Sequence, residues 1–317
     1  MSTAWRVGAV LLVLPVALGA AMALFAVIVR WRVEAAVPPV GRFVEVGGTR
    51  LHILEQGSGP PLVLVHGLGA QLKNFTYALV AQLAPHFRVI CVDRPGCGYS
   101  ARPEHVPSSL RGQADTIAAL IASLGLGKPL IVGHSYGGTV ALALALDHPE
   151  TVGGLALIAP LTHSLTVAPA AFRDFVIASR RLRQLIAWTI AVPVAMAAGA
   201  KILELVFRPD EVPRDFATAA GSLLALRPGQ FFAASSDLVS INDDLPGMME
   251  RYASIRVPVG ILYGRSDAIL SPEQQGFAMR SKIEGLTVSI VEGGHMLPMS
   301  APEQTARWIA EIAARTR

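Results

Sequence analysis

The residues best suited to do chemistry lie in three short glycine-bearing segments. Gly133-His134-Ser135-Tyr136-Gly137 directly follows the apolar run PLIV and directly precedes the helical run GTVALALAL. A serine on a sharp strand-to-helix turn needs small flanking residues, and the helix start beyond it offers backbone N–H groups and a positive dipole end to a developing oxyanion. A serine hydroxyl is a weak nucleophile near neutral pH, so it needs a base, and the base needs a group to orient it. Asp267 follows the apolar run 259–263, in GRSD, and His295 follows the run 287–291, in EGGH, giving the chain order Ser, Asp, His. The three residues predict nucleophilic acyl chemistry, with Ser135 attacking, His295 as base and Asp267 as its orienting carboxylate. The oxyanion hole is expected from the N–H groups of Tyr136 and of Leu68, the latter in His66-Gly67-Leu68-Gly69. His66 reads as an organiser of that loop. Asp93 and Arg94, in DRPGCGYS, belong to a wall of the same pocket or tie their own loop together.

These residues must be held by a repeating scaffold. Residues 62–65, 88–92, 130–132, 155–158, 259–263 and 287–291 are short continuous apolar runs, as parallel strands covered on both faces require. Residues 75–83, 110–124, 138–146, 273–283 and 303–314 show helical apolar spacing between them. Residues 42–46 and 49–55 alternate apolar and polar around Gly47-Gly48, which predicts a β-hairpin. Strand and helix in alternation give a doubly wound α/β fold with a mostly parallel sheet, whose functional residues gather at the carboxyl ends of the strands. All three candidate residues fall there. The alternation stops over residues 161–255, which read as an inserted helical cap.

Residues 7–29 carry no charge over 23 positions, and at about 1.5 Å per residue they span roughly 34 Å, enough to cross a bilayer as one transmembrane helix. Trp5 and Arg6 before the run, and Arg30, Trp31 and Arg32 after it, suit the two interfaces. The run is longer than the apolar core of a secretory signal, and a basic cluster precedes the small-residue pair Ala35-Ala36, which favours an uncleaved anchor. The basic residues on the two sides nearly balance, so the face of the membrane is left open. The chain thus divides into an anchor (residues 1–32), a linker (33–41), a core (42–160 and 256–317) and the cap (161–255). Inside the cap, residues 184–200 are also uncharged, between Arg183 and Lys201. A second crossing there would leave Ser135 on one side of the membrane and Asp267 and His295 on the other, so the stretch is expected to be a lid helix. It lines an acyl pocket, rests on the bilayer surface or packs in the cap core. Arg173, Arg180, Arg181 and Arg183 just before it meet anionic headgroups or form a solvated face.

Composition narrows the remaining classes. The charged share of the 317 residues is 16%, against about 25% for an average soluble domain, which points to contact with lipid or another apolar phase. At 52% hydrophobic residues the chain is not disordered. Cys91 and Cys97, the only cysteines, exclude a disulfide framework and do not form a zinc pattern; no metal or organic cofactor is implied. The net charge of +4 is scattered without basic blocks, which gives nucleic-acid binding no support.

Taken in order, HGLG, DRPGCGYS, GHSYGG, GRSD and GGHMLPMSAPE make the chain from about Arg42 to Arg317 resemble the α/β-hydrolase family. The resemblance implies that family's fold, with a cap inserted after the sixth strand, and a Ser-Asp-His triad. Dehalogenases and epoxide hydrolases of the family use aspartate as nucleophile, and Ser135 argues against both. An anchor helix before a capped serine hydrolase is similar to membrane-bound monoacylglycerol lipases and related carboxylesterases. The expected activity is hydrolysis of a carboxylic ester with a medium or long acyl chain, the substrate a small molecule or lipid and the location a membrane. A carbon–carbon bond hydrolase of ring-cleavage products uses the same triad, and a non-catalytic membrane-tethered binding protein is the reading from another class. Oligomeric state is not set by the sequence.

Overall fold

The computed structural model describes residues 3–316, with side-chain surroundings from residue 13 onward. In chain order it contains helix α1 (Thr3–Ala36), strands β1 (Arg42–Val46), β2 (Thr49–Gln56) and β3 (Pro61–Val65), helices α2 (Lys73–Thr76) and α3 (Leu79–Leu83), and β4 (Arg88–Val92). Then come α4 (Leu110–Ser123), β5 (Leu130–His134), α5 (Tyr136–Asp147) and β6 (Gly154–Ile158). Helices α6 (Arg180–Trp188), α7 (Ala191–Phe207) and α8 (Pro228–Arg251) lead to β7 (Val259–Gly264), β8 (Thr287–Val291), α9 (Leu297–Ser300) and α10 (Pro302–Ala314).

The eight strands form one sheet in the order β1-β2-β4-β3-β5-β6-β7-β8. β1 and β2 are antiparallel and β2 meets β4 antiparallel; every other pair is parallel. The hairpin turn has φ of 54° at Gly47 and 75° at Gly48, the left-handed pair that a two-residue turn with the strand twist demands. Successive side chains of β3 serve opposite faces: Val63 and Val65 join the core under α4, α5 and α8, while Leu62 and Leu64 join the core under α3 and α10. That two-sided burial is why these strands read as unbroken apolar runs.

Four local expectations are revised. The run 75–83 forms two short helices, because Ala78 leaves helical geometry (φ −145°, ψ −41°) while Phe75, Leu79, Val80 and Leu83 still reach one core. The helix expected at 273–283 is instead a π turn (Pro272–Gly276) and a 3-10 turn (Phe277–Met279). Gln275 is drawn inward there to accept from the Thr162 and His163 N–H groups, and a Cβ on Gly276 would press on the Tyr263 ring. The uncharged stretch 184–200 is not one helix: α6 and α7 meet at 78°. Pro193 has no N–H to give the Thr189 carbonyl and its ring would strike that carbonyl, so the helix restarts with Pro193 in its first turn. Finally, α1 runs to Ala36, through the start of the expected linker, because Arg30 and Glu34 pair at i,i+4 and Val29 and Val33 are packed against the region between β6 and β7. Val13–Ala36 of α1 is long and apolar enough to cross a bilayer, an 18-residue window within it having a mean hydropathy of 2.2. The Trp5 and Arg6 side chains lie outside the described residues.

Candidate active site

Ser135 caps the carboxyl end of β5 and begins α5, with φ 53° and ψ −122°. Its N–H donates to the Ile158 carbonyl at 2.9 Å and its carbonyl accepts from Gly138 at 2.9 Å, so both neighbours hold the turn. The flanking glycines are steric necessities: a Cβ on Gly137 would run into the Val65 and His66 carbonyls, and one on Gly133 into the first turn of α5. Ser135 is partly exposed, whereas His134 and Tyr136 on either side are buried.

The Leu68 loop lies against this turn, since a Cβ on Gly67 would stand 3.2 Å from that of Ser135. Arg94, fully buried, fixes it: Nε donates to the His66 carbonyl (2.9 Å), Nη2 to the Gly67 carbonyl (3.0 Å), and the Arg94 N–H to His66 Nε2 (2.9 Å). His66 Nε2 is therefore the unprotonated nitrogen and Nδ1 donates to the Gly67 carbonyl. In the trans Gly67–Leu68 peptide the N–H points opposite to that pinned carbonyl, away from Arg94. Among the described residues neither the Leu68 nor the Tyr136 N–H has an intramolecular acceptor, and Tyr136 opens a helix whose first N–H groups have none by construction. Burial, with the Arg94 charge beside it, lowers His66 to about 3, so it stays neutral and serves as organiser.

β7 and β8 are parallel neighbours paired to their ends (Gly264 to Val291), which brings the loops bearing Asp267 and His295 side by side. His295 Nδ1 and Asp267 Oδ2 are 2.8 Å apart with both side chains buried. Asp267 Oδ1 accepts from the N–H groups of Ile269 (2.8 Å) and Leu270 (2.9 Å). Burial alone would push this carboxyl up; the charge and hydrogen bond of His295 and the two N–H donors outweigh it and hold it below the usual carboxylate range. With Nδ1–H donated to Asp267, the lone pair of His295 lies on Nε2. The His295 loop is anchored from both sides: His134 Nε2 donates to the His295 carbonyl at 2.9 Å, and Asp210 accepts the Gly294 N–H at 3.0 Å. Burial, then the neighbouring His295, lowers His134 to about 3. The structure thus joins Asp267 to His295 directly and joins His295 to the Ser135 turn through His134. Among the described residues no hydrogen bond links Ser135 Oγ to His295 Nε2; catalytic hydrogen bonds are often long or poorly aligned before substrate binds.

Three contributors escaped the sequence reading. His134 is the unspecified residue of the serine motif, Asp210 lies far off in sequence, and Asp237 of α8 receives Arg94 Nη1 at 2.7 Å across 143 positions. A cavity of about 850 Å³ opens beside Asp267 between His163, Val167, Leu205, Arg208 and Gln275. Among the described residues no three His, Cys, Asp or Glu side chains are grouped to hold a metal.

Residues 60–302 match the family model described as alpha/beta hydrolase fold. The chain is 31% identical over 275 residues to a dihydrolipoyllysine-residue acetyltransferase component of an acetoin cleaving system from Pseudomonas putida, covering 86% of this chain and 68% of that protein. It is 27% identical over 283 residues to a 2-hydroxymuconate semialdehyde hydrolase from Pseudomonas putida, covering 87% of this chain and 95% of the other. Among solved structures, a membrane phospholipase A described as a bacterial virulence factor superposes with a TM-score of 0.69 at 25% identity, covering 100% of this chain and 99% of that one.

Proposed function

The chain belongs to the α/β-hydrolase fold family and is a hydrolase of that superfamily, and from this premise we propose that it is a membrane-anchored serine hydrolase of carboxylic esters. What carries the reading is the buried His295–Asp267 pair, joined through His134 to a serine held at positive φ beside two free N–H groups. In the proposed cycle His295 Nε2 takes the Ser135 proton as Oγ bonds to the ester carbonyl carbon. The Leu68 and Tyr136 N–H groups receive the oxyanion, and collapse breaks the C–O bond while His295 returns the proton to the departing alcohol. Water, deprotonated by the same nitrogen, then releases the acid and restores Ser135. Helix α1 serves as the anchor and residues 161–255 as the lid; the membrane phospholipase A whose whole length this chain matches supports both the lipid ester and the anchor.

The test is a p-nitrophenyl ester chain-length series on detergent-solubilised protein. Ser135→Ala is expected to lower turnover about a thousandfold or more, as removal of a triad nucleophile does. Unaltered turnover by that variant would overturn the assignment. The 2-hydroxymuconate semialdehyde hydrolase relative favours a second reading, hydrolysis of a carbon–carbon bond in a ring-cleavage product. A serine-dependent preference for vinylogous diketones over simple esters decides for it.

A further inference from the structure

The large apolar side chains that stay exposed among the described residues are not scattered. All but Phe43 belong to α1 or to residues 167–196, among them Leu182, Leu185, Ile190, Val194 and Met196 around the bend between α6 and α7. The same bend packs against α1: Ala26, Val29 and Val33 form one cluster with Val192, flanked by Trp188, and Glu34 pairs with Arg227 at 3.2 Å. Ala26 lies within the charge-free run of α1, so whatever packs beside it shares the depth of that run in a bilayer. Straightened, α6 and α7 together would be long and apolar enough to span, but they are bent by 78° and held to the core at both ends. Arg180 pairs with Glu104 at 2.9 Å before the bend, and Asp210 holds the Gly294 N–H after it. A segment tied back on both sides enters one leaflet and returns. The exposed cations Arg173, Arg181 and Lys201 flank it, where anionic headgroups would lie.

We infer that the α6–α7 bend is seated in the headgroup and acyl boundary of the leaflet that α1 enters, and that the site draws its ester sideways from that leaflet. The same pieces lead from that boundary to the cavity beside Asp267, which borders the orienting carboxylate and is lined by neither Ser135 nor His295. α7, 17 residues and about 25 Å long, runs from Val192 beside α1 to Leu205 and Arg208 in the wall of the cavity at Asp267. Val167 belongs both to the exposed apolar edge and to the cavity lining. The substrate half of this statement rests on the ester-hydrolase reading; the docking half does not.

The experiment uses the full chain in phosphatidylcholine–phosphatidylglycerol vesicles carrying nitroxide lipids. Leu185→Cys and Met196→Cys are labelled with an environment-sensitive fluorophore. Both native thiols are buried and burial pushes them up, Cys97 to about 11, so they do not compete for label. Quenching by shallow nitroxides at both positions, with none at an exposed Glu311→Cys control, is expected. Absence of quenching, or label-to-label cross-linking that shows a second copy of the chain on this face, overturns the docking. The double variant Leu185→Asp, Met196→Asp is expected to hydrolyse vesicle-embedded long-chain esters about tenfold or more slowly while p-nitrophenyl butyrate turnover is unchanged; equal loss on both substrates, or on neither, overturns the sideways supply. Quenching without any ester turnover in the wild type would retain the docking and reject the ester reading, whereas ester turnover without quenching would do the reverse.

Discussion

Ser135 holds a backbone conformation that costs an L-residue about 1–3 kcal/mol, and the Ile158 and Gly138 hydrogen bonds, with the packed glycines around them, keep it there. Two buried histidines of the same neighbourhood have a cost of another kind. His66 and His134 both titrate at about 3, against about 6.5 in an unfolded chain. Between those values the unfolded chain binds a proton at each that the native chain does not, so stability falls as pH drops, by about 1.4 kcal/mol per pH unit for each histidine. The depressed Asp267 carboxyl acts in the same direction only at lower pH, once the unfolded carboxylate begins to protonate near about 4. Urea unfolding midpoints at pH 7, 6 and 5 should therefore decline, and His134→Gln should flatten the decline. A slope identical in that variant would mean that His134 is not buried neutral.

At the scale of elements, one of the links that join α8 to the core is a buried acid. Asp237 takes Arg94 at 2.7 Å and Arg102 at 2.6 Å with no exposure of its own. Asp237→Ala leaves two guanidinium groups without that partner and is expected to cost about 3–5 kcal/mol by chemical denaturation. Glu292→Ala, which removes the exposed partner of Arg265, should cost less than about 1 kcal/mol, and similar losses in the two variants would refute the distinction. This link also marks the limit of what the sequence discloses. Strands such as Arg88–Val92 and the Ser135 turn announce themselves locally, because two-sided burial and a strained turn each impose residue types on adjacent positions. Asp267 and His295 were legible for the same reason, each following a strand. The Arg94–Asp237 pair, the inward Gln275 that unwinds residues 272–279 and the His134 anchor of His295 depend on contacts between distant positions, and nothing beside any of them in the chain signals it. The α6–α7 bend lies between: Pro193 was visible, but an apolar stretch does not disclose whether its helix restarts.

For the whole molecule, the sheet order carries a consequence for how the site comes apart. Ser135, the proposed nucleophile, hangs from β5, every residue of which is buried between β3 and β6, whereas His295, the proposed base, follows β8, an edge strand whose residues are all partly or fully exposed. Amides of β5 should exchange with solvent deuterium only through global unfolding, and those of β8 through a smaller opening of the sheet's rim. In mild denaturant, hydrolysis should then fade while β5 remains protected, and both signals falling together would contradict this. Loss of turnover would in that case report the release of one border strand rather than the melting of the protein, and could be reversed by dilution without refolding the rest.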